Sequence, residues 1–240
     1  MKHLNEDLLR SFKESFPCAY FGDERMSVIE YLYATEDCSE RFHEYLAEGY
    51  RRIGSIFYRN ICEECIDCKP LRLETELFSP SRSQSRTLKK SRDIRIEVQT
   101  PAIITGEKID LYRRYLDSKH SGREYKEPRD YETVLSNIHY GYARTIEMDY
   151  YVGDTLVGVG IVDEAEDALS SNYFYYDTDY LERRPGVLSI LKEILLARVM
   201  GKKYYYLGFY LEGTAKMAYK KFFRPNQIYE GRQWREFLTK

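Results

Sequence analysis

Hydrophobic and polar positions alternate with a period of two over residues 27–33 (Ser-Val-Ile-Glu-Tyr-Leu-Tyr), which predicts a strand. Residues 36–50 then carry Phe42, Tyr45, Leu46 and Gly49 at helical spacing, and a short strand is expected over 53–58. These elements make a small α+β unit ending near Leu73. From Ser79 to Ser85 the chain turns polar, with Pro80 among four serines, and a domain boundary near residue 80 is expected. A strand over 94–98 and helices over 108–118 and 130–137 follow, the last after the start signal of Pro128. Residues 144–152, 155–163 and 169–177 are rich in Val, Ile, Tyr and Phe, with Gly153-Asp154 as a hairpin turn, so they predict an antiparallel meander. Residues 187–200 place Val187, Leu188, Ile190, Leu191, Ile194, Leu195 and Val199 on one side of a helix that must face a sheet. A strand over 203–207, a helix over 214–223 and a strand over 227–229 complete the pattern.

Strand, helix, strand around residue 195 implies a parallel crossover. Meander, helix, strand, helix, strand is the order of the acetyltransferase-like (GNAT-like) fold. The fold class is therefore α/β (α+β), with an acetyltransferase-like C-terminal domain over 81–240 and a smaller cysteine-bearing α+β domain over 1–80. No internal repeat is present.

Composition narrows the classes. At 240 residues, 43% hydrophobic and 32% charged, the chain has the make-up of a soluble globular protein rather than a disordered one. The N-terminus leads into no apolar targeting segment, and no apolar run approaches the roughly 18 residues that span a bilayer, so a cytoplasmic protein with no membrane partner is expected. A net charge of −2 gives no global attraction to nucleic acid, and DNA is not expected as a partner. Local patches differ from that average: Arg82, Arg86, Lys89, Lys90, Arg92 and Arg95 face the single acidic Asp93, and Lys216, Lys220, Lys221 and Arg224 form a second cluster. Such patches suit a phosphate backbone, although charge runs are more commonly solvated faces. The 24 tyrosines suit either a cleft for an amphipathic substrate or ordinary core filling.

Five cysteines, an odd number, do not make a disulfide scaffold. Cys62, Cys65 and Cys68 follow a CxxCxxC spacing, and with Cys18 as a fourth ligand they can hold zinc or an iron-sulfur cluster; the alternative is a metal-free thiol cluster. Cys38, on an amphipathic helix, needs no role. Four histidines offer no convincing Ser-His-Asp or Cys-His arrangement. Asp177, at the end of a strand, either orients an incoming ammonium in the cleft or caps a turn with Thr178 and Asp179. Arg183-Arg184-Pro185-Gly186-Val187-Leu188 has one glycine of the pair that a pyrophosphate-binding turn needs, which argues against acetyl-CoA; the same helix start could still meet an RNA phosphate.

Several motifs in order resemble one family: Phe16-Pro17-Cys18, Gly49-Tyr50-Arg51-Arg52, the CxxCxxC run continued by Lys69-Pro70-Leu71-Arg72, Ser81-Arg82-Ser83-Gln84, Phe174-Tyr175-Tyr176-Asp177, and the block from Tyr206 to Pro225. Together they resemble the aminoacyl-tRNA-protein transferases over nearly the whole chain. Glu212-Gly213, in place of a eukaryotic His-Ser pair, resembles the bacterial branch. The resemblance implies transfer of an amino acid, leucine in preference to arginine, from charged tRNA to the N-terminus of proteins that begin with Asp or Glu, within an N-degron degradation pathway. It implies Asp177, Glu212 and Tyr176 as catalytic residues, and Arg82, Gln84, Arg86, Lys216, Tyr210 and Tyr219 as contacts to the acceptor or the aminoacyl group. Lys89, Lys90, Arg92, Lys220, Lys221 and Arg224 would hold the tRNA. Transfer needs no cofactor; any zinc or iron-sulfur cluster on Cys18, Cys62, Cys65 and Cys68 would be structural. An arginyl-tRNA donor, a non-catalytic metal-dependent RNA-binding protein and a CoA-dependent acetyltransferase are the alternatives. Arg184-Pro185-Gly186 and Ser83-Gln84-Ser85 depart from the bacterial pattern.

Overall fold

The computed structural model describes residues 9–21, 23–34, 39–119, 130–141 and 143–237. Cys38, Pro128 and the start of the helix expected from residue 36 lie outside them.

The first strands form a four-stranded antiparallel sheet in the order β1-β2-β4-β3, from β1 (Leu9–Pro17), β2 (Met26–Ala34), β3 (Arg51–Ile53) and β4 (Ile56–Asn60). Helix α1 (Phe42–Ala47) presents Phe42, Tyr45 and Leu46 to this sheet, where Tyr45 stacks on Phe57 at 4.4 Å. The strand expected over 53–58 is thus a hairpin, because Gly54, at φ 55, turns the chain between β3 and β4.

The remaining strands build one eight-stranded sheet in the order β12-β11-β5-β10-β9-β8-β7-β6. They are β5 (Lys69–Glu74), β6 (Ile94–Gln99), β7 (Arg144–Val152), β8 (Thr155–Glu164), β9 (Ala168–Tyr176), β10 (Tyr204–Tyr210), β11 (Gln227–Glu230) and β12 (Gln233–Glu236), and β9–β10 is the parallel pair. Leu71 and Leu73 of β5 are buried in the core of this second sheet. The chain therefore changes sheet between Asn60 and Lys69, and the boundary expected near residue 80 does not coincide with that change.

Where a linker was expected, α2 (Arg82–Lys90) is a helix. The Ser81 hydroxyl accepts from Gln84 N and the Gln84 side chain accepts from Ser81 N, a complete capping box. Helices α3 (Gly106–Lys119) and α4 (Tyr131–His139) cover one face of the sheet through Leu111, Leu116, Leu135 and Ile138, against Leu156, Val159, Ile161 and Tyr175. Helix α5 (Pro185–Val199) covers the other through Leu188, Leu191 and Ile194, against Val157, Val162 and Leu169. Burial on both faces is why β8 reads as a near-continuous apolar run rather than an alternation. The chain then passes through α6 (Ala215–Ala218) and a 3-10 turn (Tyr219–Phe222), so the helix expected over 214–223 is short and changes its winding.

On β7, Glu147 and Asp149 point into the sheet face under α3 and α4 and are fully buried. Lys108 Nζ pairs with Glu147 and lies 2.8 Å from Asp149, so α3 is fixed to the sheet by charge as well as apolar contact, and His139 Nδ1 of α4 lies 3.2 Å from Glu147. Burial, with Glu147 adjacent, pushes the Asp149 carboxyl up to about 6. No helix among the described residues is long and apolar enough to cross a membrane.

Candidate functional site

Parallel pairing of β9 with β10 runs from Tyr204–Ala168 to Tyr206–Ser170 and ends there. Beyond that pair the strands part, and Gly208, at φ 84, marks a register shift against β5. Two cations occupy the fork. Arg51, projecting from β3 of the other sheet, donates through Nη2 to the carbonyls of Ser171 and Asn172 on β9. Lys220, from the 3-10 turn, donates to the carbonyls of Leu207 (2.7 Å) and Phe209 (3.3 Å) on β10. Carbonyls left outside a ladder need such donors. Gly208 is required between the cations, because a Cβ there would collide with Arg51 Nη1 and lie 3.4 Å from Lys220 Nζ. Burial, and then the adjacent Arg51 charge, pushes the Lys220 amine down to about 7.

Above the fork lies a cavity of about 510 Å³. Tyr115, Tyr173, Phe174, Tyr176 and Tyr219 supply aromatic walls, and Pro185, Gly186 and Val187 bring the start of α5 to one side. Tyr176 sits between Tyr115 (5.1 Å) and Phe174 (5.4 Å), with Lys119 Nζ 5.4 Å from its ring. Arg51, Lys119, Arg184, Lys216 and Lys220 line the cavity, and among the described residues no Asp or Glu does. Below the floor, Glu193 of α5 is fully buried and accepts from Ser189 and from the Tyr205 hydroxyl at 2.8 Å; burial raises its carboxyl above the usual range.

The cavity brings together Tyr176, Lys216, Tyr219 and Lys220 of the residues singled out in the sequence. Asp177 does not line it: its carboxylate accepts from Asp179 N at 3.0 Å, capping the turn Thr178–Arg183, and lies 3.5 Å from Arg114. Glu212 is solvent-exposed and pairs with Lys221 at 3.2 Å. Tyr210 is buried against Phe237, with ring centroids 5.1 Å apart. Gln84 is spent on the capping box and on the Phe222 carbonyl at 3.2 Å. Lys220, expected on a tRNA-facing surface, is instead part of the cavity floor.

Arg86, Lys89 and Lys90 line a second cleft of about 530 Å³ beside α2, together with Arg183 and Arg184. Arg184 also borders the cavity, since its left-handed backbone at φ 56 starts α5 and its Nη1 donates to Ser83 at 2.8 Å. Arg82, Arg92 and Arg224 are exposed outside both. Arg51 and Glu193 were given no role in the sequence; the signals were the Gly49-Tyr50-Arg51-Arg52 motif and an acid inside the apolar stripe of α5.

Cys18, Cys62, Cys65 and Cys68 are half-buried free thiols in one neighbourhood. Burial, and then the other three cysteines, pushes the Cys68 thiol up to about 12, while Cys62 Sγ accepts from Val28 N at 3.3 Å. The donor set suits a soft metal. In this geometry, however, no three such side chains among the described residues converge as ligands, and no step of the chemistry is routed through a metal.

The profile described as "Arginine-tRNA-protein transferase, N terminus" matches residues 16–86, and that described as "Arginine-tRNA-protein transferase, C terminus" matches residues 107–230. The aspartate/glutamate leucyltransferase of Helicobacter hepaticus is 34% identical over 227 residues, covering 92% of each chain. That of Saccharophagus degradans is 30% identical over 241 residues, covering 99% of this chain and 100% of its own. Among solved structures, the C-terminal domain of a putative lysylphosphatidylglycerol synthetase from Agrobacterium fabrum aligns at 14% identity and a TM-score of 0.46, covering 70% of this chain and 51% of that one. FemX aligns at 9% identity and a TM-score of 0.46, covering 83% of this chain and 79% of its own. With both profiles matched in order along most of its length, the chain belongs to the arginine-tRNA-protein transferase family, aminoacyltransferases whose donor is a charged tRNA.

Proposed function

We propose that this protein moves a leucyl group from charged tRNA to the α-amino group of proteins that begin with Asp or Glu, marking them for N-degron proteolysis in the cytoplasm. The observation that carries this reading is the cavity in the β9–β10 fork, with aromatic walls, a cationic floor and, among the described residues, no acidic lining. The ester of an aminoacyl-tRNA is already activated, so the site must mainly align an amine with it. The amine nitrogen attacks the ester carbon, the C–N amide bond forms, the C–O bond to the ribose breaks, and the ribose oxygen leaves with a proton. An α-amino group titrates near pH 8, and nearby fixed positive charge lowers that value, favouring the nucleophilic form without a carboxylate base. Of the cations lining the cavity, Lys119, Arg184 and Lys216 are the ones left to stabilise the tetrahedral oxyanion. No acyl-enzyme is needed.

Leucine is favoured over arginine as the transferred residue because five basic side chains in the cavity would repel a guanidinium, and the curated relatives named above are leucyltransferases. The cleft along α2 shares Arg184 with the cavity, and its basic lining suits the phosphates of a tRNA acceptor stem. Replacing Lys89 and Lys90 by Ala should weaken tRNA binding and lower the steepness of its salt dependence by about one phosphate contact each, as read by filter binding across a salt series. Zinc or an iron-sulfur cluster at the four cysteines stays a structural proposal, which metal analysis of the purified protein decides.

The direct test supplies tRNA charged with radiolabelled leucine or arginine and peptides beginning with Asp, Glu or Ala. Label from leucine in the acidic peptides alone supports the proposal. Label from arginine instead would reassign the donor, and bound tRNA with no transfer would favour a non-catalytic RNA-binding protein.

A further inference from the structure

Arg51 and Lys220 set a guanidinium and an amine side by side in a half-buried fork, where burial and the Arg51 charge disfavour the charged amine unless an anion joins them. Among the described residues the carboxylate that acts on Lys220 is Glu193, and it is already taken by Ser189 and Tyr205. Arg51 Nη1 is buried without a hydrogen-bond partner, although a buried donor of this kind is ordinarily satisfied. Both side chains line the cavity. An anion reaching its floor would find a point charge and a planar donor group together, the pairing suited to a carboxylate.

The substrates determine which carboxylate. A leucyl ester carries none, whereas an acceptor beginning with Asp or Glu carries one on the same residue as its nucleophilic amine. We propose that Arg51 and Lys220 together form the receptor for the side-chain carboxylate of the acceptor's first residue, so that recognition of the acid also sets its α-amine against the ester. This rests on the transferase reading above. It replaces Arg82 and Arg86, which lie outside the cavity, as the groups that read the acceptor.

The test compares kcat/KM for peptides that differ only in a first residue of Asp or Asn, with wild type, Lys220→Gln, Arg51→Gln and Arg51→Lys. Wild type should prefer Asp by about a hundredfold or more, the scale of a desolvated charge pair. Lys220→Gln and Arg51→Gln should lose that preference to within about tenfold, through a raised acceptor KM, while the KM for leucyl-tRNA stays within about twofold; Arg51→Lys should restore part of it. An equal fall with both peptides would make the pair merely structural, and a raised tRNA KM would assign it to a tRNA phosphate; either overturns the proposal. Calorimetric binding of the two peptides to the wild-type chain needs neither a variant nor transfer. Tighter binding of the Asp peptide supports the receptor even if leucine proves to be the wrong donor, and equal binding overturns it. If wild type transfers to no peptide yet binds the Asp peptide preferentially, the transferase reading fails and the receptor stands.

Discussion

Arg52→Ala is expected to lower the stability of the protein by about 3–5 kcal/mol, a large part of the roughly 5–15 kcal/mol that holds a domain together. Arg52 and Asp163 are both buried, with Nη2 to Oδ1 at 2.6 Å and Nε to Oδ1 at 3.0 Å. The remaining guanidinium donors reach the carbonyls of Ile138 (2.9 Å), Tyr140 (2.7 Å) and Gly54 (3.3 Å). One side chain on β3 thereby ties the four-stranded sheet to β8 and to the end of α4. Truncation leaves the Asp163 carboxylate buried with Asn172, at 2.8 Å, as its remaining side-chain partner. Urea unfolding should show the midpoint falling without a change of slope. Arg52→Lys should recover little, because one ammonium cannot reproduce a planar group that reaches three elements. A shift under 1 kcal/mol for the alanine variant would contradict the role given to this pair.

Gly208→Ala should leave the protein folded and reduce transfer about a hundredfold. A left-handed backbone costs an alanine about 1–2 kcal/mol, which the domain can absorb. The activity loss has another source: the new methyl would collide with Arg51 Nη1 and displace that guanidinium from the cavity floor, while Lys220 Nζ, at 3.4 Å, stays in ordinary contact. A displacement of about 1 Å at a reacting site is enough for a loss of that size. Gly201→Ala is the control. Gly201 also has a positive φ, of 67, but its Cβ would meet open space, so this variant should pay the backbone cost alone and keep its transfer rate. Full activity in Gly208→Ala would place the chemistry elsewhere.

The elements legible in the sequence were those whose local pattern agrees with their final burial. The meander from Arg144 to Tyr176 has strand ends within one residue of expectation, because Gly153 sits at φ 58 in open space where the hairpin must turn. Helix α5 was legible from its apolar stripe, although Leu195 and Val199, expected on the sheet side, are 53% and 77% exposed. By contrast, no strand was expected at β5, where the first unit was read as ending near Leu73, and nothing local says that this segment inserts between β10 and β11; that pairing is set by contacts far away in sequence. The serine-rich run before α2 was read as a break, although Ser81 and Gln84 carry a capping signature, since serine and proline favour turns and helix starts alike.

The site divides along the same line. Tyr176, Lys216, Tyr219 and Lys220 reach the cavity, but Asp177 is drawn into capping its turn, a competition that short acidic side chains after a strand commonly lose to the backbone. Arg51 was visible as part of a motif and invisible as a site residue, because its partners on β9 lie about 120 positions away. A sequence shows which residues carry charge; the fork between two parted strands decides which charges meet.

The most direct measurement of the central claim is a crystal structure of the full chain with a 3′-amide analogue of leucyl-adenosine, in which the labile ester is replaced by a stable bond. The account predicts the leucyl group inside the β9–β10 cavity, between Tyr176 and Tyr219, with the floor formed by Arg51 and Lys220 left open for the acceptor's carboxylate. Density for the analogue beside Asp177 and Arg114, or on the cysteine-bearing sheet, with this cavity left to solvent, would contradict it.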